Sequence, residues 1–224
     1  MAFPTVTDVT AGDTAVSTTR TITLPTGIVE KDLLLALHAA GQSMTHTWPA
    51  GWTELFDVGG FSGGYRIADG TEDGSTINVT TSAAARAGAY MVHCFTGGSF
   101  IPPEQSNATF SNTAAADCPN LDFHAAGASI DSTWMAVAMC LNAGGDNGGV
   151  WPTDYNDNQL RYPNSTGGLS GCVISSTRNL AAASENPGAY PVLGNSGRAF
   201  TIGIALATPS LVYNSRRNHH LLVR

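Results

Sequence analysis

Two tryptophan–proline segments hold the strongest candidates for a binding site in this sequence. Trp48 and Trp52 stand on either side of a proline in the first half, and Trp151 and Tyr155 do the same in the second half. If these flat rings are exposed on a β-sandwich, they could stack against the apolar faces of sugars. Aromatic side chains also bury large areas, so the same rings could instead fill the ends of a hydrophobic core. The sequence leaves both interpretations open and favours the second.

A serine and a group of carboxylates offer other chemistry. Gly60 to Gly64 matches the G-x-S-x-G pattern of serine hydrolases, but that reaction needs Ser62 on a strand-to-helix elbow. The residues that follow read as a strand, so a glycine-rich hairpin loop is predicted. Asp69, Glu72 and Asp73 could offer oxygens to Ca²⁺, but they lack the ligand spacing of an EF-hand loop. A plain acidic turn is predicted there.

The histidines show no spacing that is typical of metal ligands. His219 and His220 are adjacent, so in a strand their side chains would point in opposite directions. The other histidines are scattered, and partly buried, hydrogen-bonded roles suffice for them; they are His38, His46, His93 and His124. No pair of carboxylates stands out as a glycosidase acid and base. The sequence therefore predicts no catalytic residue, no metal site and no cofactor.

The charge of the chain argues against nucleic acid as a partner. The net charge is −7, and binding to phosphates needs a basic face. The C-terminal residues are nevertheless basic, which indicates either a docking tail or a solvated terminus. The residues of this possible docking tail are Arg216, Arg217, His219, His220 and Arg224.

The N-terminus, the lengths of the apolar stretches and the cysteines predict the compartment in which the protein folds. The N-terminus has neither the basic start nor the apolar run of a signal peptide, and no stretch approaches the roughly 18 apolar residues of a membrane span. The expectation is a protein that folds in a reducing cytoplasm and contacts no membrane. The four cysteines are widely scattered without a C-x-x-C pair, so free thiols are predicted.

Composition and periodicity predict an all-β fold. Only 12% of the 224 residues are charged, glycine occurs 25 times, and strand and turn formers dominate. Short strands between turn signals are typical of a sandwich or barrel. The expected class is a jelly-roll-like β-sandwich. The predicted strands are 6–9, 18–24, 33–40, 53–58, 65–68, 76–81, 89–95, 121–123, 134–141, 169–176, 190–193 and 200–207. Turns are predicted at Gly12-Asp13 and in the glycine-rich stretch 59–64, and Ala181 to Glu185 is the only helix-friendly stretch.

The two halves of the chain resemble each other. Besides the tryptophan–proline segments, the run 32–37 aligns with 133–138, 63–67 with 170–174, and 86–91 with 198–203, with an offset that grows along the chain. A duplicated unit with loop insertions would produce this pattern. The predicted organisation is a first β-sandwich half at 1–97, a connecting strap at 98–113, a second half at 114–210, and an extension at 211–224.

Several segments resemble a module of tailed-bacteriophage virion proteins. They are DLLLALHAAG, TWPAGWTELFD, YRIADGTEDGSTINVTTS and STRNLAAASENPGAYPVLG. The similarity covers residues from about 20 to 208, and its motifs are structural rather than catalytic. The resemblance implies a jelly-roll-like sandwich built into a virion that is assembled in the host cytoplasm.

Two functions are compatible with this resemblance. The first is a non-enzymatic capsid decoration or cement protein. It would form a homo-oligomer such as a trimer, bind the major capsid protein, and use residues 1–10 or 211–224 as a clasp. The second is a receptor- or carbohydrate-binding module of a tail or head fibre, in which Trp48, Trp52, Trp151 and Tyr155 contact a host glycan.

Overall fold

The chain folds as an all-β protein with several antiparallel sheets, as the composition predicts. The computed structural model describes residues 3–84, 86–111, 116–123, 131–141, 150–161, 170–190 and 196–207. Within these ranges the regular structure consists of strands, without a helix. The same ranges accordingly contain no helix that is long and apolar enough to cross a bilayer.

Eight strands form the first half of the chain. They are β1 (Thr5–Thr14), β2 (Thr19–Thr23), β3 (Leu33–Ala39), β4 (His46–Thr47), β5 (Thr53–Val58), β6 (Phe61–Ile67), β7 (Thr76–Thr81) and β8 (Gly88–Thr96). The first large sheet has the order β1-β8-β3-β6-β5, and the first outer sheet has the order β2-β7-β4. Together they make one sandwich.

The remaining strands follow the same plan. They are β9 (Glu104–Gln105), β10 (Thr109–Ser111), β11 (Ala116–Cys118), β12 (Leu121–Asp122), β13 (Asp131–Leu141), β14 (Asn156–Arg161), β15 (Gly171–Ala181), β16 (Ser184–Glu185), β17 (Gly188–Tyr190) and β18 (Ser196–Ala205). The second large sheet has the order β10-β18-β13-β15-β14, with β9 beside β18, and the pairs β11-β17 and β12-β16 form the second outer layer. When the five strands of each path, leaving out β9, are numbered in chain order, both large sheets have the same strand order, 1-5-2-4-3.

The two large sheets pack face to face around a central core. On β3, Leu33, Leu35 and Leu37 point into this core, where they meet residues of the second large sheet such as Met135 and Phe200. Because successive side chains of a strand point to opposite faces, the other face of β3 packs against the outer sheet. A strand that is covered on both faces needs a continuous apolar run, and all seven residues of β3 are buried.

Each large sheet also covers an outer core. The first outer core lies between the first large sheet and the first outer sheet, and Leu34, Trp48 and Val79 belong to it. The second outer core lies beneath the second outer layer and includes Trp134 and Tyr190. The described residues therefore form a stack of four layers with three cores, and the two halves share the middle core.

Outside the tryptophan–proline segments, the residue alignment predicted between the halves is one position out of step with these faces. It pairs Leu33, in the central core, with Trp134, in the second outer core. It also pairs Tyr90, in the first outer core, with Ile202, in the central core. Because the side-chain period of a strand is two, an error of one residue exchanges the faces. Duplication of a half-length unit and a jelly-roll connectivity both stay predictions.

Two predictions that rested on glycine change. The turn predicted at Gly12-Asp13 is wrong, because both residues lie inside β1. The hairpin loop predicted over residues 59–64 is confined to a turn at Gly59 and Gly60, and β6 begins at Phe61. A β-carbon at Gly12 would lie 2.5 Å from the Tyr90 hydroxyl, and one at Gly64 would lie 2.6 Å from Cδ2 of the Trp48 ring. These glycines are strand residues that aromatic rings approach too closely to leave room for a β-carbon.

Other local predictions also change. The helix-friendly stretch Ala181 to Glu185 forms no helical turn: β15 ends at Ala181, and β16 follows at Ser184–Glu185. The segment predicted as a strap contains β9 and β10, which pair with β18. Residues 5–10, predicted as a possible clasp, belong to β1 and pair with β8 inside the first large sheet.

Candidate functional site

Four polar side chains form a hydrogen-bonded chain beside the first outer core. Thr14 Oγ1 lies 3.0 Å from His38 Nε2, and His38 Nδ1 lies 3.0 Å from His46 Nε2. His46 Nδ1 lies 2.9 Å from Oδ1 of Asp57. We call this chain of a hydroxyl, two imidazoles and a carboxylate the histidine relay.

Four strands bring the relay together. Thr14 ends β1, His38 lies near the end of β3, His46 begins β4, and Asp57 belongs to β5. Asp57 fixes His46 twice, because its second oxygen, Oδ2, accepts the backbone N–H of His46 at 2.8 Å. Gly88 leaves the space that the relay needs: a β-carbon there would lie 2.8 Å from Thr14 Oγ1 and 2.9 Å from His38 Nε2.

The order of partners fixes the direction of every hydrogen bond when both rings are neutral. A carboxylate only accepts, so His46 donates its Nδ1–H to Asp57, which leaves Nε2 of His46 as an acceptor. His38 must then donate its Nδ1–H to His46, and its own Nε2 accepts the hydroxyl proton of Thr14. All three bonds therefore point from Thr14 towards Asp57.

Burial keeps both imidazoles neutral. Burial lowers the pKa of His38 well below 6.5, and the nearby His46 and Arg20 lower it further. Burial also lowers the pKa of His46, while the hydrogen bond to Asp57 acts in the opposite direction. The cation beside the relay is Arg20, whose side chain is fully buried.

Arg20 is an unusual residue of this site. Its Nη1 donates to the carbonyl of Ala15, whereas Nε and Nη2 have no hydrogen-bond partner among the described residues. Burial lowers the pKa of its guanidinium. A buried arginine with two unsatisfied donors is costly, so the rest of the fold must stabilise it.

The relay has the donor order of a catalytic triad with one additional imidazole. A nucleophile must reach its substrate, yet the exposed fraction is 2% for Thr14 and 0% for His38. The geometry therefore supports a structural network that fixes the ends of four strands. The sequence prediction of buried, hydrogen-bonded histidines is confirmed for His38 and His46.

A third buried histidine, His93, connects the two halves. His93 Nε2 lies 3.0 Å from Oγ of Ser175, and that hydroxyl also lies 3.0 Å from Sδ of Met91. Nδ1 of His93 is buried without a partner in the described part of the chain. Burial lowers the pKa of His93 to about 3, so the ring is neutral at physiological pH.

Trp48 and Trp52 lie in the first outer core. Their rings stack with centroids 5.5 Å apart, and each residue retains only 9% of its exposure. Trp48 donates its Nε1–H to Ser62 Oγ at 2.9 Å, and Ser62 donates to the carbonyl of Phe56. The serine of the G-x-S-x-G pattern is thus a buried structural hydroxyl beneath a tryptophan.

In the second pair, Tyr155 belongs to the second outer core and Trp151 packs against it. Tyr155 is 6% exposed, and its hydroxyl donates to Oε1 of Glu185 at 3.4 Å. Burial raises the pKa of Tyr155 well above its ordinary value. Trp151 is half-buried and meets the Tyr190 ring edge-on at 6.0 Å. These positions support the core-filling interpretation of the tryptophan–proline segments.

The acidic turn is occupied by internal partners. Arg66 pairs with Asp69 and Glu72, both at 2.6 Å, and Glu72 also accepts the backbone N–H groups of Asp69 and Gly70. Asp73 accepts the backbone N–H of Ile28. The described ranges hold no group of three or more histidine, cysteine or acidic side chains that could bind a metal. The predicted tail residues Arg216, Arg217, His219, His220 and Arg224, together with His124, lie outside the described residues.

The relay was the feature that sequence reasoning missed. Its members lie on different strands, and hydrogen-bonded pairs such as Thr14 and His38 are far apart in the chain. One signal was available: a histidine within the buried run of β3 needs polar partners, because buried polar groups are almost always hydrogen-bonded.

Fold and site together define an all-β protein of stacked sandwiches in which the histidine relay, the two tryptophans of the first half and the acidic turn are engaged in internal contacts. No protein-family model, curated protein or solved structure matches this chain.

Proposed function

We propose that this chain is a non-enzymatic structural protein of a tailed-phage particle, most simply a capsid decoration or cement protein. The observation that carries the proposal is the position of the segments that resemble phage virion modules. They cover β3, the connection from β4 to β5, the run from β6 to β7, and the run from β15 to β17. Their large side chains, including Leu35, Trp48 and Tyr190, fill all three cores.

The central core suits a mechanical role. Phe56 of the first half stacks on Phe200 of the second half with ring centroids 4.2 Å apart. Polar links add to this contact: Thr133 Oγ1 donates to the Pro4 carbonyl at 2.7 Å, and Arg161 pairs with Asp13 at 2.8 Å. Separating the halves would expose a large apolar surface, so a load applied to one half is carried by both.

The edges of the sheets supply the surfaces that would contact neighbours. β5 and β14 are edge strands of the two large sheets, and exposed backbone groups at such edges pair readily with other chains. We propose that the protein forms a homo-oligomer, for which a trimer is natural at capsid three-fold positions. The major capsid protein would be its other partner. Trp48, Trp52 and Tyr155 are buried, so they offer no exposed platform for a glycan and do not favour the alternative of a carbohydrate-binding module.

Particle stability tests the cement role. Phage particles that lack this protein are heated, and genome release is followed with a dye that fluoresces on binding DNA. We expect release at a lower temperature than from complete particles, with recovery when the purified protein is added back. Equal release temperatures for complete and deficient particles would overturn the cement role.

The basic C-terminal segment gives a more specific prediction. Deleting residues 214–224 removes Arg216, Arg217 and Arg224 from an acidic chain, so we expect weaker attachment to the particle without unfolding of the body. Attachment is measured by co-sedimentation with deficient particles, and folding by the unfolding midpoint. Normal attachment of the truncated protein would exclude the tail as the docking element.

A further inference from the structure

Two of the four cysteines face each other across neighbouring strands. Cys140 of β13 and Cys172 of β15 are direct partners in the antiparallel register. Both side chains belong to the second outer core, so they project from the same face of the sheet as direct cross-strand neighbours. Paired residues of antiparallel strands have α-carbons about 4.5–5.5 Å apart, which lies within the range of about 4.4–6.8 Å that a disulfide requires.

We propose that Cys140 and Cys172 are the site of a cross-strand disulfide, formed by exchange with a low-molecular-weight disulfide such as oxidised glutathione. The strand register places the two side chains directly opposite each other, at a backbone separation that a disulfide can span. The proposal goes beyond the virion role and does not depend on it.

The reaction balances as two successive exchanges. One cysteine loses its proton to solvent, and its thiolate attacks the small disulfide, forming a mixed disulfide and releasing one thiolate. The second cysteine, after losing its proton, attacks the protein sulfur of the mixed disulfide and releases the second thiolate. The two released thiolates take up protons, so two protein thiols are oxidised and one small disulfide is reduced to two thiols.

The other two cysteines have no such partner. Cys94 lies in the first outer core, in the other half of the molecule. Cys118 lies on β11 opposite Gly188, and its thiol donates to the carbonyl of Val137 at 3.8 Å. Burial raises the pKa of Cys94 to about 11 and that of Cys118 to about 12, which keeps both thiols protonated.

The surroundings of the pair set the rate of the reaction. Cys140 is 4% exposed and Cys172 is fully buried, so Cys140 is the thiol that a small reagent reaches first. The contact with Cys140, together with burial, raises the pKa of Cys172 well above its ordinary value. Since the thiolate is the nucleophile, the exchange should be slow at neutral pH and faster at higher pH.

Mass spectrometry of the whole chain tests the proposal. The reduced protein is incubated with oxidised glutathione at about pH 8.5, near the ordinary thiol pKa, and remaining thiols are alkylated after denaturation. We expect a product with two alkylated cysteines and a mass that shows the loss of two hydrogen atoms. Four alkylated cysteines, or a glutathione adduct that persists on one cysteine, would overturn the proposal.

Cleavage before aspartate identifies the pair, because it places each cysteine in a different fragment. The fragment that starts at Asp131 carries Cys140, and the one that starts at Asp157 carries Cys172. A covalent link between these two fragments is the expected result, and a link between any other two is a contradiction. This map uses the wild-type chain, so it stands even if a cysteine variant fails to fold.

Matched variants complete the test. Cys140→Ala should abolish the loss of two thiols, whereas Cys94→Ala, at an equally buried position in the other half, should leave it intact. The oxidised protein should also unfold at a higher temperature without a reductant than with one, because the bridge restricts the unfolded chain. Loss of the bridge in Cys94→Ala would contradict the assignment of the pair.

Discussion

At the residue scale, the buried histidines connect the fold to pH. Among the described residues, His93 bonds to the Ser175 hydroxyl and to no carboxylate, and burial lowers its pKa to about 3. His38 and His46 are also held neutral, although Asp57 opposes the shift at His46. In the unfolded chain these rings titrate near their ordinary pKa of about 6.5. The folded state therefore excludes protons that the unfolded state binds.

The sign of this difference predicts acid destabilisation. The folded-state pKa of His93 is depressed, so its neutral form contributes full stability above about pH 6.5, and stability falls as the pH drops towards 3. The fall in the free energy of unfolding between pH 7 and pH 4 should be about 3 kcal/mol smaller in His93→Gln than in the wild type, at about 1.4 kcal/mol per pKa unit. Urea unfolding at a series of pH values measures this.

The control for this prediction is Ser175→Ala, which removes the partner of His93 but keeps the titrating ring. It should retain the steep wild-type dependence on pH. If the free energy of unfolding of His93→Gln falls with pH as steeply as that of the wild type, the buried ring contributes nothing to acid sensitivity.

Asp57 is the acceptor at the end of the relay, so its charge should matter more than that of an exposed aspartate. Asp57→Asn replaces the oxygen that accepts the His46 backbone N–H by an amide group or forces the amide to turn. We expect a loss of about 1–3 kcal/mol in the free energy of unfolding. Asp122→Asn, at an exposed position, should cost less than about 0.5 kcal/mol. An equal loss in the free energy of unfolding for the two variants would contradict a stabilising role of Asp57 in the relay.

At the element scale, the packing of several strands depends on glycines, because aromatic rings lie where a β-carbon would otherwise be. Gly63 lies beneath Phe56, Gly64 beneath Trp48, and Gly12 beneath Tyr90. Glycine normally weakens a strand, and within one it often marks a site of close approach. In these three pairs, the missing side chain of the glycine lets the aromatic ring pack against the strand backbone.

Adding a methyl group beneath Trp48 tests this arrangement. Gly64→Ala would place a β-carbon 2.6 Å from the indole ring, so we expect a loss of about 1–3 kcal/mol from overpacking. In a Trp48→Leu background, where the smaller side chain leaves room, the same substitution should cost clearly less. The double-mutant cycle is measured by chemical unfolding. Additive effects would contradict a direct contact.

The strands themselves were largely predictable, whereas their pairing was not. Thr53–Val58 and Thr76–Thr81 have the bounds that alternation and turn signals predict, and the apolar run of β3 predicted a strand that is buried on both faces. The sequence predicted turns at the glycines of β1 and β6, because the aromatic rings that contact these glycines come from other parts of the chain. The relay and the central core could not be derived either, since both depend on long-range pairing.

At the scale of the whole molecule, the shared central core should make the two halves unfold together. Phe200→Ala removes a ring that is 1% exposed and stacks on Phe56, so a loss of about 3–5 kcal/mol is expected. Phe110→Ala, at a residue 55% exposed whose ring contacts Arg198, should cost less than about 1 kcal/mol.

Calorimetry shows whether the halves are coupled. We expect a single transition for the wild type, and in Phe200→Ala the whole transition should move to lower temperature. Two separate transitions, with only one of them shifted, would mean that the halves are independent sandwiches.

The location of the protein on purified phage particles tests the central claim most directly. Gold-labelled antibody against the chain is applied to intact particles and viewed by electron microscopy. Label spread over the icosahedral head is the result that a decoration or cement protein predicts. Label confined to the tail tip would contradict that role. So would the absence of label, provided that the antibody also fails to detect the chain among the denatured proteins of the same particles.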